Sequence, residues 1–318
     1  MRIEIWADVV CAWAYIGKRR LERALAGRSD AEVVWRPFRI DPTAPARAVP
    51  LEEALRDPLV DEALRACAPG LSPERNRARV SQVAAREGLG PTWGSRWRVS
   101  SHDAHRLIAL AHEHGGPSAQ DAVAEGVMRA NFVEGLDIGD RAVLGEVAAA
   151  AGFPLGARLL DGDAGEDLVR ELLLQGRARR VRTSPTLVVG GRALAGAQSP
   201  EAIADFLRGG GRERPVPAEV ERMRWAESLM DRHDPLGALV MLRPLLEEFG
   251  EDRGVRLLAA RAYFASAQLN RAGAVLESLV EEFPGDLYLR MLYGRTLERQ
   301  GRDEEARPHL RLAAAADG

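Results

Sequence analysis

The 318-residue sequence predicts an α/β domain interrupted by a large block of helices, followed by an all-α domain of helical repeats. Three observations carry this. The chain opens with strand, helix and strand in close succession. From about residue 50 to 182 nearly every segment has helical character, and strand character then returns as a hairpin followed by a helix. Beyond residue 211, matched residue types recur every 34 positions, as at Ala238, Ala272 and Ala306.

Residues 2–8, RIEIWAD, alternate and are rich in β-formers, which predicts a strand. A turn holding Cys11 follows. Residues 15–27 place Ile16, Leu21, Ala24 and Leu25 at helical spacing, with Gly27 as the stop. Residues 31–41, AEVVWRPFRID, read as a second strand. In the helical block, segments such as SHDAHRLIALAHEHGG and DRAVLGEVAAAAG open on Ser or Asp or end on Gly, as capping chemistry favours. Residues 185–191 and 192–197 read as two strands joined at Gly190-Gly191. Residues 199–210 then form a helix, with Ser199 as N-cap and Pro200 in its first turn. The order β-α-β, helices, β-β-α describes a thioredoxin-like core over residues 1–211, with its helical insertion at about 50–182. GGGRERPVP (209–217) has the composition of a linker.

Residues 212–318 carry the repeat. Ala238, Ala272 and Ala306 are in phase with Leu242, Leu276 and Leu310. Trp225, Ala259 and Tyr293 follow the same step, as do Ala226, Ala260 and Gly294, and Leu229, Tyr263 and Leu297. A 34-residue period with two helices per unit is the tetratricopeptide signature. Small residues belong where helices cross closely, and large ones fill between them. Such an array predicts a protein partner. Three repeats lie near the lower limit for a stable array, so packing on the first domain or on a second copy, as a homodimer, is expected.

Hydrophobic residues make up 46% and charged residues 29% of the chain, and the net charge is −3. Bulk charge therefore points to neither a nucleic-acid nor a membrane partner. MRIEIWADVV lacks the features of a secretory signal, and no apolar run has the length of a membrane helix. A cytoplasmic location is the expectation, and with it two free thiols, Cys11 and Cys67. Lys18 is the only lysine, read here as a compositional bias toward arginine.

The chemistry centres on DVVCAWAY (8–15). A thiol at a helix N-terminus faces unpaired N–H groups and the positive end of the helix dipole, which favour thiolate. In a two-thiol version of such a site the second cysteine lies three residues on; here that position is Ala14. An inert cysteine buried in a turn is the alternative. His102, His105, His112 and His114 cluster on one segment, but no carboxylate or cysteine completes a ligand set, and no metal is expected. Asp140 precedes a helical segment and can cap it. Trp13 reads either as an exposed lid beside the thiol or as packing under the helix.

IEIWADVVCAWAYIGKRRLE resembles the opening of DsbA-like thioredoxin-fold oxidoreductases of the FrnE type, where the motif usually reads Asp-x-Val-Cys-Pro-Trp-Cys followed by Gly-Lys. The resemblance returns in SSHDAHRLIALA (100–111), EGLDIGD (134–140) and TSPTLVVGGRALAGAQSPE (183–201), and spans about residues 1–208. The same superfamily holds 2-hydroxychromene-2-carboxylate isomerases and kappa-class glutathione transferases. The resemblance implies that Cys11 is the nucleophile and Pro185 the cis-proline opposite it. Pro185 would then turn the backbone of Ser184 toward the thiol, where a peptide or glutathione could pair as an added strand. It further implies substrate contact by Trp13, Ala14 and Ser184. For His105, anchoring and substrate contact stand side by side. For Asp137, a turn-forming role stands beside contact with a polar substrate end.

The departures are as informative. Ala12 and Ala14 replace the proline and second cysteine, and Ser100-Ser101 replace the usual Asn-Thr pair. A mixed disulfide at Cys11 would need an outside thiol such as glutathione, or Cys67, to resolve it. The function implied is a monothiol thiol–disulfide oxidoreductase acting on protein or low-molecular-weight thiols and disulfides. No cofactor would be tightly bound, and glutathione would serve as co-substrate. The alternatives are a glutathione-dependent isomerase or transferase of the hydroxychromene type, whose relatives place serine where this chain has Cys11, and a redox-inactive module that binds partners through its repeats.

Overall fold

The computed structural model describes residues 1–28, 30–60, 68, 70–209 and 216–315. Cys67 and most of the linker segment, residues 210–215, lie outside the described residues. The chain divides into two units, Met1–Gly176 with Val181–Glu213, and Arg177–Arg180 with Arg214–Gly318.

The first unit is built on β1 (Arg2–Ala7), α1 (Ala12–Ala24) and β2 (Glu32–Pro37). Strands β1 and β2 run parallel, with Ile3 opposite Val33 and Ile5 opposite Trp35. A short pair comes next, β3 (Val49–Pro50) with β4 (Trp97–Arg98), enclosing α2 (Leu51–Ala54) and α3 (Pro73–Arg86). Beyond it lie α4 (His102–Arg129), a π-helical turn over Ala130–Glu134, α5 (Arg141–Ala150), α6 (Leu155–Leu160) and α7 (Glu166–Ala178). The hairpin β5 (Thr186–Val189) and β6 (Arg192–Ala195) and the helix α8 (Pro200–Arg208) complete the unit. The four-stranded sheet has the order β2-β1-β5-β6, with Ile5 antiparallel to Leu187.

Neighbouring β1 residues Ile5 and Trp6 point to opposite faces of the sheet and both are buried, so both faces are covered. The edge strand β2 is protected by α4. Gln120, itself buried, accepts the Trp35 N–H at 2.9 Å and donates to the Trp35 carbonyl at 3.0 Å. One side chain thus occupies a donor and an acceptor that an open sheet edge would leave unpaired.

The insertion differs from the sequence reading in detail. The two helical segments read over 101–116 and 120–132 are both present within α4, parted by a kink where Gly116 leaves helical backbone (φ 70, ψ −167) ahead of Pro117, and the second runs on into the π-helical turn. The strands β3 and β4 are two residues each, too short to leave a periodic signal. The core of the unit is continuous from Ile3, Cys11 and Tyr15 to Leu107, Val127, Met128 and Leu144.

The second unit contains helices α9 (Ala218–Asp231), α10 (Pro235–Glu248), α11 (Arg253–Ala265), α12 (Leu269–Glu282), α13 (Leu287–Arg299) and α14 (Asp303–Ala314). Aspartates start three of them. Asp234 accepts from the Gly237 N–H, Asp252 from Val255 and Asp286 from Leu289, at 2.9–3.0 Å. Each cap satisfies a donor that a helix start otherwise leaves open. The in-phase residues are the packed ones: Ala226, Ala238, Ala260, Ala272 and Ala306 are buried, as are Leu242, Leu276 and Leu297. At Gly294 a Cβ would stand 2.7 Å from Leu310, so only glycine admits α14 this close. Among the described residues, no helix is long and apolar enough to cross a membrane.

Candidate active site

The site is assembled where β1 ends and α1 begins. Asp8 to Cys11 form a tight turn closed by the Cys11 N–H on the Asp8 carbonyl at 3.0 Å. Cys11 is the N-cap residue of α1, in extended backbone (φ −87, ψ 113), and its own carbonyl accepts the Ala14 N–H at 2.9 Å. Its sulfur therefore sits at the helix mouth, as the sequence predicts.

The other wall comes from the segment ahead of β5. The Cys11 Sγ–H donates to the Ser184 carbonyl at 3.4 Å, and the Ser184 Oγ accepts the Asp8 N–H at 2.9 Å. The Ser184–Pro185 peptide bond is cis. One turn along α1, Gly17 faces Pro185, where a Cβ would stand 3.0 Å from the ring. Glycine at 17 thus allows the proline to lie against the helix that carries the thiol.

Cys11 is 8% exposed, and the position three residues on, where a resolving thiol would stand, is taken by the buried methyl of Ala14. Trp13 is half-buried against the core, with the Arg79 guanidinium 5.6 Å above its ring. Packing and partial exposure coexist at Trp13, so the two sequence readings of it are not exclusive.

The thiolate expected from the helix N-terminus is not what the structure favours. Burial pushes the Cys11 thiol above its ordinary value. The Ser184 contact and the backbone N–H groups of Ala14 and Trp13 pull the other way, and the negative charge of Asp8 adds to the rise. Desolvation disfavours the charged form, and here it outweighs the helix mouth. The Ser184 carbonyl is the acceptor that the buried Sγ–H meets.

Asp8 is 1% exposed. Its carboxylate accepts the Ile40 N–H at 2.7 Å and the Val10 N–H at 3.3 Å, and lies 3.4 Å from Nε2 of His105. The same nitrogen is 2.9 Å from the Phe38 carbonyl. Both neighbours are acceptors, so Nε2 carries the hydrogen. His105 is 4% exposed and bonds inward, which makes it an anchor beneath the thiol turn. The Asp137 carboxylate accepts the Gly139 N–H at 2.8 Å and shapes its own turn, and Asp140 caps α5 through the Ala142 N–H. Among the described residues, no group of three or more His, Cys, Asp or Glu side chains could hold a metal ion. His102 instead pairs with Glu166 at 2.6 Å.

Sequence reasoning placed Cys11, Ala14, Ser184 and Pro185 together but did not single out Asp8. Its signals were its position, three residues before the cysteine, and its match to the Asp that opens the Asp-x-Val-Cys pattern. Its burial depends on Ile40 and His105, which come from elsewhere in the chain.

Residues 2–208 match the DSBA-like thioredoxin domain, which is most of the chain. The chain belongs to this family. Residues 229–292 match the tetratricopeptide repeat. Of solved structures, a probable DsbA oxidoreductase of Streptomyces coelicolor is 30% identical, at a TM-score of 0.56, covering 69% of this chain and 94% of its own. A 2-hydroxychromene-2-carboxylate isomerase is 15% identical, at a TM-score of 0.51, covering 65% and 95%, and shares the fold. The uncharacterized protein YwbO of Bacillus subtilis (strain 168) is 28% identical over 81 residues, which are 26% of this chain and 40% of that protein. The DSBA-like domain thus accounts for the first unit, and the tetratricopeptide match falls within the second.

Proposed function

We propose that this DSBA-like protein is a monothiol thiol–disulfide oxidoreductase of the FrnE type, with Cys11 as its reacting sulfur. The observation that carries this reading is the meeting of the Cys11 thiol and the Ser184 carbonyl at 3.4 Å, beside the Ser184–Pro185 bond. A substrate strand pairing with the backbone of Ser184 would bring a disulfide to the sulfur. Cys11 loses its proton and attacks the nearer sulfur of the substrate. A new S–S bond forms, the substrate bond breaks, and the leaving sulfur departs with the electron pair and takes up a proton. With Ala14 buried where a resolving thiol would stand, an outside thiol completes the cycle, and glutathione is the co-substrate we infer. The repeats would hold a protein partner.

Turnover is tested by supplying the full chain with a peptide–glutathione mixed disulfide and reduced glutathione. Glutathione-dependent reduction that disappears in Cys11→Ser is the expected result, with a rate that climbs from pH 7 to pH 9 as the neutral thiol ionises. A wild-type rate equal to that of Cys11→Ser would overturn the reading. It would favour the redox-inactive binding module, for which the burial of Cys11 is the supporting observation.

A further inference from the structure

Helix α3 carries charges that the exchange cycle leaves unused. Its basic residues are Arg75, Arg77, Arg79 and Arg86, and its one acid is Glu74. On the neighbouring helix α1, Lys18, Arg19, Arg20 and Arg23 each meet a carboxylate. Among the described residues, no carboxylate pairs with any of the four arginines of α3. Glu87, just past the end of α3, turns to Arg20 and Arg23 instead. The helix thus presents positive charge that nothing neutralises. It packs against α1, with Val80 and Ala84 in the same core as Cys11 and Ala14.

One of these arginines stands at the thiol mouth. The Arg79 guanidinium lies 5.6 Å from the centre of the Trp13 ring, and Trp13 is the second residue of the helix that Cys11 caps. The Cα atoms of Cys11 and Trp13 are therefore at most about 7 Å apart. A guanidinium over an aromatic face is steadied without spending its N–H donors. Arg79 is exposed, and among the described residues its side chain donates no hydrogen bond. Asp8, the acid of the thiol turn, is buried, with its carboxylate taken by the N–H groups of Val10 and Ile40. We propose that Arg79, steadied by Trp13, is a carboxylate-binding subsite that favours reaction of Cys11 with small thiols and disulfides bearing a carboxylate.

The fork of guanidinium N–H groups matches a carboxylate through two parallel hydrogen bonds. An extended tripeptide spans about 10 Å, a length that suits a sulfur at Cys11 and a terminal carboxylate turned toward Trp13. The contact serves both halves of an exchange: the anionic disulfide that loads Cys11, and the anionic thiol that later attacks the partner sulfur. Because the subsite is exposed, its contribution is a few-fold and is screened by salt. A neutral disulfide gains nothing from Arg79, and a cationic one is opposed by it.

The proposal rests on the reading of Cys11 as the reacting thiol, but its first test needs no disulfide, so the two can fail separately. The full chain is alkylated at one pH with iodoacetate, an anion, and with neutral iodoacetamide, and peptide mass mapping counts Cys67 apart. The ratio of the two rates at Cys11 cancels the thiolate fraction and any change in access that both reagents share. In Arg79→Gln the iodoacetate-to-iodoacetamide ratio should fall about threefold. Arg79→Lys, which keeps the charge, should restore most of it. Arg86→Gln removes the same charge about 10 Å further along α3 and should lower the ratio far less. Raising salt from about 0.01 M to about 1 M should bring the wild-type ratio down to that of Arg79→Gln. An unchanged ratio in Arg79→Gln, or an equal fall in Arg86→Gln, overturns the proposal. The second test compares glutathione adduct formation at Cys11 from oxidised glutathione with the adduct from neutral hydroxyethyl disulfide. The preference for oxidised glutathione should fall in Arg79→Gln; an equal preference in wild type and variant overturns the assignment to disulfide substrates. No adduct from either disulfide, with the alkylation ratio still falling, supports the carboxylate subsite and overturns the oxidoreductase reading.

Discussion

Among the described residues, the thioredoxin-like unit buries Asp8, Lys18, Ser101, His105, Arg106, Gln120, Asn131 and Thr186. The repeat unit buries one polar side chain, Thr296, whose hydroxyl donates to the Leu292 carbonyl of its own helix. Several of the buried polar groups of the first unit find partners far along the chain: Asp8 faces His105, Gln120 brackets Trp35, and Arg106 donates to the carbonyls of Ala164 and Gly162, while Thr186 bonds locally to the Thr183 carbonyl. Lys18 shows the pattern most fully. Burial alone would lower its pKa, but Asp121, Glu22 and Glu125 more than offset it and hold the ammonium above its ordinary value. The only lysine in the chain, which composition alone explained as bias, joins α1 to α4 from inside an ion cluster.

This difference separates two ways of specifying a fold. A buried polar network is satisfied in one arrangement only and is costly to break. A repeat array sums local helix packing and nearest-neighbour contacts. The first suits a unit that must hold one sulfur against one carbonyl. The second suits a unit that displays a surface.

The largest expected effect comes from removing a member of the buried network. Asp8→Ala strips the acceptor from the N–H groups of Val10 and Ile40 and from His105, and should cost about 4 kcal/mol in the denaturant unfolding of the first unit. A loss below about 1 kcal/mol would break the contrast, because such a network would then be dispensable. Next is Leu276→Ala, at a fully buried position in the repeats. It should cost about 3 kcal/mol. Hydrogen exchange should show the loosening confined to α12 and the helices beside it. Protection lost evenly across the repeats would argue against nearest-neighbour additivity.

A smaller, graded effect is expected from acid. Burial alone would raise Glu87, but Arg20 and Arg23 more than offset it and hold its carboxyl below the ordinary range. Asp103 is lowered in the same way, with Arg141 and Arg106 outweighing its burial. Carboxylates depressed in the folded state add stability above their unfolded value of about 4, and that stability is lost as pH falls through the folded value. The repeat carboxylate Glu305 is also lowered, by Arg302, but is fully exposed and screened. Between pH 6 and pH 3 the unfolding midpoint of the first unit should therefore drop further than that of the repeats. Equal drops would remove electrostatics from the comparison.

The repeats were legible because their packing is periodic: Ala272 and Leu276 are buried for the reason that they are spaced as they are. The strand–turn–helix around Cys11 was legible from local alternation and the helix that follows. The break at Gly116 was legible from the glycine pair and the proline after it, whereas the two-residue strands left no comparable trace. The burial of Cys11 was not legible, because the helix mouth is a local feature, whereas burial arises from segments that only the folded chain brings over the sulfur. His105 was visible as a candidate, but its inward direction was not, since Asp8 and Phe38 reach it only in the folded chain.

The central proposal is that Cys11 exchanges with disulfides and that an outside thiol, not Cys67, completes the cycle. The direct measurement is intact-mass spectrometry of the full chain after exposure to oxidised glutathione, alongside Cys11→Ser and Cys67→Ala. A single glutathione adduct should form at Cys11, survive removal of the reagent, and vanish only when reduced glutathione is added. No adduct at Cys11, or an adduct that resolves unaided into a Cys11–Cys67 disulfide, would contradict the claim.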